Sequence, residues 1–185
     1  METTRRLILA GGAALAGGLV PLAAEARGSA RELTADGRRA LAKLLDTEPK
    51  ARRISRQARA VLVFPQIIKA GLVFGGQTGD GVLLTGGRPE GFYNLSGGSW
   101  GLQVGGQTFG FALFFMNEGS LRYLRKSAGF SVGSGPNIVV VGKGAATQVD
   151  TTTLSQDVYA FPFNQKGLMA ELSLQGTKIT RIHPD

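Results

Sequence analysis

Apolar positions along the chain follow two different periods. Leu33, Gly37, Ala40, Leu41, Leu44 and Leu45 recur at three- and four-residue spacing, which predicts an amphipathic helix with one buried stripe. Asp46-Thr47-Glu48-Pro49 interrupts it, and a second helix is expected with Thr47 as its N-cap and Pro49 in its first turn. There Ala51, Ile54, Ala58 and Val61 line one side, while Arg52, Arg56 and Arg59 line another with Arg53 beside them.

From Ala60 the pattern becomes that of strands. Val61-Leu62-Val63-Phe64 is a short apolar run stopped by Pro65, consistent with a buried strand. Gly71 to Gly76 and Gly81 to Thr85 flank Gln77-Thr78-Gly79-Asp80, a hairpin signal. Phe109 to Met116 is an apolar run too short to span a bilayer and suited to a strand buried on both faces. Asn117 should cap an inserted helix near 118–126, with Leu121 and Leu124 inward and Arg122, Arg125 and Lys126 outward. Ile138 to Val141, Val158 to Phe161, Leu168 to Leu174 and Lys178 to Ile182 read as further strands. The fold class expected is α+β: N-terminal helices packed on a strongly curved, mainly antiparallel, barrel- or sandwich-like sheet. Glycines inside strands fit bends and close backbone approach. One echo stands out. Gly71-Leu72-Val73-Phe74-Gly75-Gly76-Gln77-Thr78 matches Gly101-Leu102-Gln103-Val104-Gly105-Gly106-Gln107-Thr108 at six of eight positions, read as two strands needing the same glycine geometry.

Residues 1–26 stand apart. Arg5 and Arg6 precede an apolar stretch from Leu7 to Val20, Pro21 breaks it, and Ala24-Glu25-Ala26 has the small-x-small form of a cleavage site, so this segment reads as an export signal. Thr4-Arg5-Arg6-Leu7-Ile8-Leu9 resembles a twin-arginine signal; an ordinary secretory signal fits as well. The expected organisation is a signal over 1–26, a basic helical segment over 27–60 and a Gly-rich β domain over 61–185. The location expected is outside the cytoplasm, in the periplasm or peripheral to a membrane of the cell envelope.

Charge sharpens the picture. The 185 residues carry a net charge of +8 with a sequence pI near 10.3. Ten basic and four acidic residues between Arg27 and Ala60 place +6 there, leaving +2 for the rest of the mature chain. Such local excess is what an electrostatic docking surface requires. Nucleic acid would call for aromatics among the basic residues; the stretch from Arg27 to Arg59 has none, and nucleic acid is not expected as a partner.

Candidate chemistry is sparse. Cysteine is absent and histidine occurs once, which removes disulfides, thiol catalysis and thiolate metal sites. Gly97-Gly98-Ser99-Trp100-Gly101 satisfies the serine-hydrolase pentapeptide, and Ser99, Asp150 or Asp157, and His183 follow in hydrolase chain order. That chemistry needs a strand, a sharp turn and a helix in a parallel sheet, whereas Trp100 to Val104 alternates like a strand. Gly129 to Gly133 satisfies the same pattern by accident of composition. Gly142-Lys143-Gly144-Ala145-Ala146-Thr147 lacks the upstream glycine and the hydroxyl residue of a phosphate loop. Trp100, Phe92, Tyr93 and Tyr159 read as core or sheet-face aromatics. No catalytic residue, metal or cofactor is expected.

Several blocks in order resemble the SYLF domain family: Ala60-Val61-Leu62-Val63-Phe64-Pro65, Lys69-Ala70-Gly71 running into Gly75-Gly76-Gln77, and Gly79-Asp80-Gly81-Val82-Leu83. They continue through Tyr93-Asn94-Leu95, Ser99 to Gly105, Val149 to Leu154, Phe163 to Ala170 and Thr180-Arg181-Ile182. The resemblance spans about residues 32–182. It implies a non-catalytic domain whose eukaryotic members bind phosphoinositides, partly through a basic amphipathic helix, and whose fungal members bind actin. By position it implies Arg38, Arg39, Lys43, Lys50, Arg52, Arg53, Arg56 and Arg59 as the lipid-binding set, matched only as a basic helical region. With export, anionic phospholipid in general is the expected partner. The alternative is an assembly role in which the same surface binds an acidic protein or polysaccharide.

Overall fold

A computed structural model describes residues 29–71, 74–100, 105–126, 130–131, 135–141, 156–166 and 177–185. The expected signal segment, the strand at Leu168 to Leu174, the Gly142 to Thr147 stretch and Asp150 lie outside the described residues. The α+β expectation is met: among the described residues three helices accompany a sheet curled into a half-barrel.

Helix α1 (Ala30–Thr47) starts at a capping box, with Ser29 Oγ accepting from the Glu32 amide and the Glu32 carboxylate accepting from the Ser29 amide. Its buried positions, Gly37, Ala40 and Leu44, follow the expected stripe, with Leu33, Leu41 and Leu45 half-buried. Helix α2 (Pro49–Ser55) begins one residue later than expected: Glu48 is its N-cap, and Thr47 still belongs to α1, donating to the Lys43 carbonyl. It also ends early. The β-branched run that follows is taken up by the sheet, so Arg56 is the C-cap and Arg59 lies on the link into β1 (Ala60–Gly71). The expected helical line Arg52–Arg56–Arg59 is therefore incomplete.

The remaining strands are β2 (Phe74–Thr85), β3 (Arg88–Trp100), β4 (Gly105–Phe115), β5 (Phe130–Ser131), β6 (Ile138–Val140), β7 (Val158–Lys166) and β8 (Thr177–Ile182), with α3 (Glu118–Lys126) after β4. Their order across the sheet is β5-β8-β3-β2-β1-β4-β7-β6. Among the described residues every pairing is antiparallel except that of β6 with β7. Bulges in β1, where its register shifts against both neighbours, help bend the sheet. The hairpin expected at Gln77 to Asp80 is not there. β2 runs straight through those residues, and the β1–β2 reversal falls between Gly71 and its partner Gly75. The glycines that suggested a turn serve packing instead: a Cβ on Gly81 would stand 2.5 Å from Phe64 Cδ1, and one on Gly79 would stand 2.9 Å from Ile67 Cγ1. The turn between β2 and β3 uses Gly86 and Gly87, with φ of +57° and +76°, a conformation glycine adopts freely.

Each sheet face has its own core. On one, Val61, Val63, Val82, Leu84, Phe114 and Phe161 pack against Ala40 and Leu44 of α1 and Ala51 and Ile54 of α2. On the other, Leu62, Phe64, Ile67, Phe111 and Leu113 pack with Leu121 and Leu124 of α3 and with Phe130. Residues Phe109 to Phe115 are all buried, as the unbroken apolar run led one to expect. Asn117 Oδ1 accepts from the Ser120 amide at the start of α3, and its side-chain amide donates to Asp157 at 2.6 Å, which fixes α3 against the start of β7.

Candidate functional site: a cationic edge on the N-terminal helices

All eight residues of the expected set are exposed, yet they differ in what they touch. Arg38 donates to the Gly87 carbonyl at 2.9 Å, tying α1 to the β2–β3 turn. Arg39 is hydrogen-bonded and ion-paired with Asp36, one turn earlier on α1. Arg52 donates through Nε to the Leu45 carbonyl at 2.8 Å and through Nη2 to the Asp46 carbonyl at 3.2 Å. It thereby supplies positive charge at the C-terminus of α1, where unsatisfied carbonyls favour a cation. Lys43, Lys50, Arg53, Arg56 and Arg59 have neither an ion pair nor a side-chain hydrogen bond among the described residues.

Helical spacing explains the sorting. Ala51 and Ile54 turn α2 onto the sheet and are buried, so Arg52, Arg53 and Arg56 project from the opposite side. On α1 the outward face is mixed, with Glu32, Asp36 and Asp46 among Arg31, Arg38, Arg39 and Lys43. The purely cationic surface is narrower than the sequence suggested and centres on α2 and the link to β1. Its apolar side is consumed by the sheet core, and no amphipathic face remains on these helices to enter a bilayer. Among the described residues no helix is long and apolar enough to cross a membrane.

The hydrolase constellation does not assemble. Ser99 sits in β3, paired with Gly75 of an antiparallel neighbour, and the next described element is another strand, β4. His183 follows Ile182, whose partner is Phe92, seven residues from Ser99 and hence about 23 Å away along the strand. Asp157 is committed elsewhere, accepting from Asn117 and from the Asn137 amide. A cavity of about 500 Å³ between α1 and the β1–β2 surface is lined by Glu32, Asp36 and Asp80 together with Arg39, an acidic wall that does not suit an anion.

One polar group on the sheet escaped the sequence reading. Lys69, Gln77 and Thr177 are buried polar residues, 8%, 6% and 1% exposed. Lys69 is in register with Gln77 on β2 and with Gln107 on β4, while Gln77 donates to Thr177 at 2.9 Å. The signal was present in the repeated octet, which puts a glutamine on each side of β1.

The fold and the exposed helical edge define an α+β domain with a localised cationic surface, consistent with a non-enzymatic binding domain. Residues 96–183 match the family model described as Ysc84: Las17-binding protein actin regulator, in agreement with the resemblance to the SYLF family over that stretch. The match runs from the end of β3 through β8 and includes α3; α1, α2 and the residues up to 95 precede it. No curated protein matches the chain.

Proposed function

We propose that this chain is a non-catalytic, peripheral lipid-binding domain of the cell envelope, exported by its N-terminal signal, whose basic helical edge docks on anionic phospholipid. The observation that carries the proposal is the cluster of Lys50, Arg53, Arg56 and Arg59: exposed, on or beside one short helix, and without partners among the described residues. Each basic group near an anionic membrane surface contributes about 1 kcal/mol, so four engaged together hold the domain with about 4 kcal/mol, a reversible attachment. Because Ala51 and Ile54 are spent on the core, attachment is by charge and not by apolar insertion. The export reading favours bacterial-type anionic lipids over phosphoinositides, and it places the chain away from the actin regulation that the family description names.

The test is co-sedimentation with vesicles of phosphatidylcholine alone and of phosphatidylcholine mixed with phosphatidylglycerol, across a salt series. Binding should appear only with the anionic lipid and fade as the screening length falls from about 10 Å at 0.1 M salt to about 3 Å at 1 M. Equal binding to both vesicle types would refute the proposal. No binding to either would redirect the same surface toward an acidic protein or polysaccharide.

A further inference from the structure

On the sheet face that carries α3, inward-facing rows run from β4 to β8. The row Phe109, Ile67, Gly79, Leu95 and Ile179 is apolar apart from its glycine. Two residues further along each strand the row changes character and becomes Gln107, Lys69, Gln77, Gly97 and Thr177. Gly97 lies between Gln77 and Thr177 and has no side chain, which lets the Gln77 amide reach the Thr177 hydroxyl at 2.9 Å. Lys69 stands at the centre, flanked by Gln77 on one side and Gln107 on the other. It is 8% exposed and has no carboxylate or hydrogen-bond partner among the described residues. No fully buried side-chain nitrogen or oxygen lacks a partner there, so the ammonium keeps a path to solvent while its stem is covered.

With its stem covered and its ammonium reaching solvent, Lys69 presents a single positive charge at one point of the polar row. Packing alone would be served better by another apolar residue, as at Ile67 two positions earlier. We propose that Lys69, with the amides of Gln77 and Gln107 and the hydroxyl of Thr177, forms a binding site for a phosphate oxyanion. Lysine supplies the point charge and the neutral groups supply directed donors, a combination suited to a phosphate group. The phosphate arrives either free or as part of a lipid headgroup. This site lies on the sheet face opposite α1 and α2 and does not depend on the helical edge.

The experiment is calorimetric titration of wild type and Lys69→Met with inorganic phosphate, glycerol 3-phosphate, and short-chain phosphatidylglycerol below its micellar concentration, at constant ionic strength. Wild type should show saturable binding to at least one of them, and Lys69→Met should weaken it at least about tenfold, the loss of one charge-assisted contact. Arg122→Gln, which removes an exposed charge of α3 outside both surfaces, should leave it unchanged. Binding of inorganic phosphate as tight as that of the lipid assigns the free ion; binding of the lipid alone assigns the headgroup. Absence of saturable binding by wild type, or equal binding by Lys69→Met, overturns the proposal. Should Lys69→Met fail to fold, amide NMR shifts on titrating wild type decide the matter: changes must centre on Lys69, Gln77, Gln107 and Thr177, and changes confined to α2 refute the site.

Discussion

Reversing two charges on α2 separates binding from folding. Arg53 and Arg56 are exposed and have no partner among the described residues, so the substitution pair Arg53→Glu/Arg56→Glu removes no side-chain hydrogen bond or ion pair among them. Each reversal replaces an attraction of about 1 kcal/mol with a repulsion of similar size. The pair should therefore weaken docking by about 4 kcal/mol, close to three decades in the partition coefficient. Arg52→Ala is the internal contrast, because that guanidinium satisfies carbonyls of Leu45 and Asp46 at the end of α1. It should lower stability by about 1 kcal/mol and reduce docking by much less than the double reversal. The assay is vesicle co-sedimentation at low salt beside urea unfolding of each variant. Undiminished binding by a folded Arg53→Glu/Arg56→Glu variant would refute the reasoning.

Two predictions concern the scaffold. A Cβ at position 37 would overlap Val82 Cγ1, and Val82 is buried and β-branched, with little freedom to turn aside. Gly37→Ala should therefore destabilise by about 1–2 kcal/mol, overpacking outweighing the better helix propensity of alanine, and an unchanged urea midpoint would show that α1 is not seated so closely. Glu90 accepts from Arg125 at 2.6 and 2.9 Å, and this bond, opposed by partial burial and helped by Thr85, holds its carboxyl below the usual 4.5. A lowered folded value stabilises above the unfolded one and is lost as pH falls through it. Glu90→Gln should thus melt slightly lower than wild type at pH 7, by the 0.5–1 kcal/mol or so typical of a half-exposed pair, with the gap closing below pH 4.5; a gap that persists in acid contradicts the assignment.

Much of the architecture was written in local periodicity. The three-four spacing of Leu33 to Leu45 and the unbroken apolar run from Phe109 became α1 and β4 because each pattern can bury its apolar groups in only one way. The errors came where glycine or proline had two uses. Gly79 and Gly81 resemble turn residues in sequence but are spaces for Ile67 and Phe64, a role fixed by a neighbouring strand. Likewise Pro49 marked the start of α2, yet nothing local announced its end at Ser55, because the pull of β1 into the sheet is a tertiary effect. For the candidate site, composition showed where the positive charge lies along the chain. It did not show that Arg38, Arg39 and Arg52 are occupied, since their partners depend on how α1 meets α2 and the β2–β3 turn.

The repeated octet shows why one fact of sequence can carry two physical causes. Its glycines bring β2 and β4 against β1 at Gly71, which pairs with Gly75 on one side and Gly105 on the other. Glycine geometry accounts for that symmetry but not for the glutamine six residues into each copy, because an apolar residue would pair across the strand equally well. What the two glutamines share is the residue between them. Lys69 is the only lysine or arginine in β1, and both Gln77 and Gln107 fall in register with it. A lysine placed to avoid solvent loss alone has no need of two matched amide neighbours; a lysine that receives an oxyanion does, since the amides orient what the charge attracts. Under the two proposals the surfaces divide electrostatic work: α2 presents unsatisfied charge to a broad anionic plane, and the polar row presents one charge within a set of directed donors to a single anion.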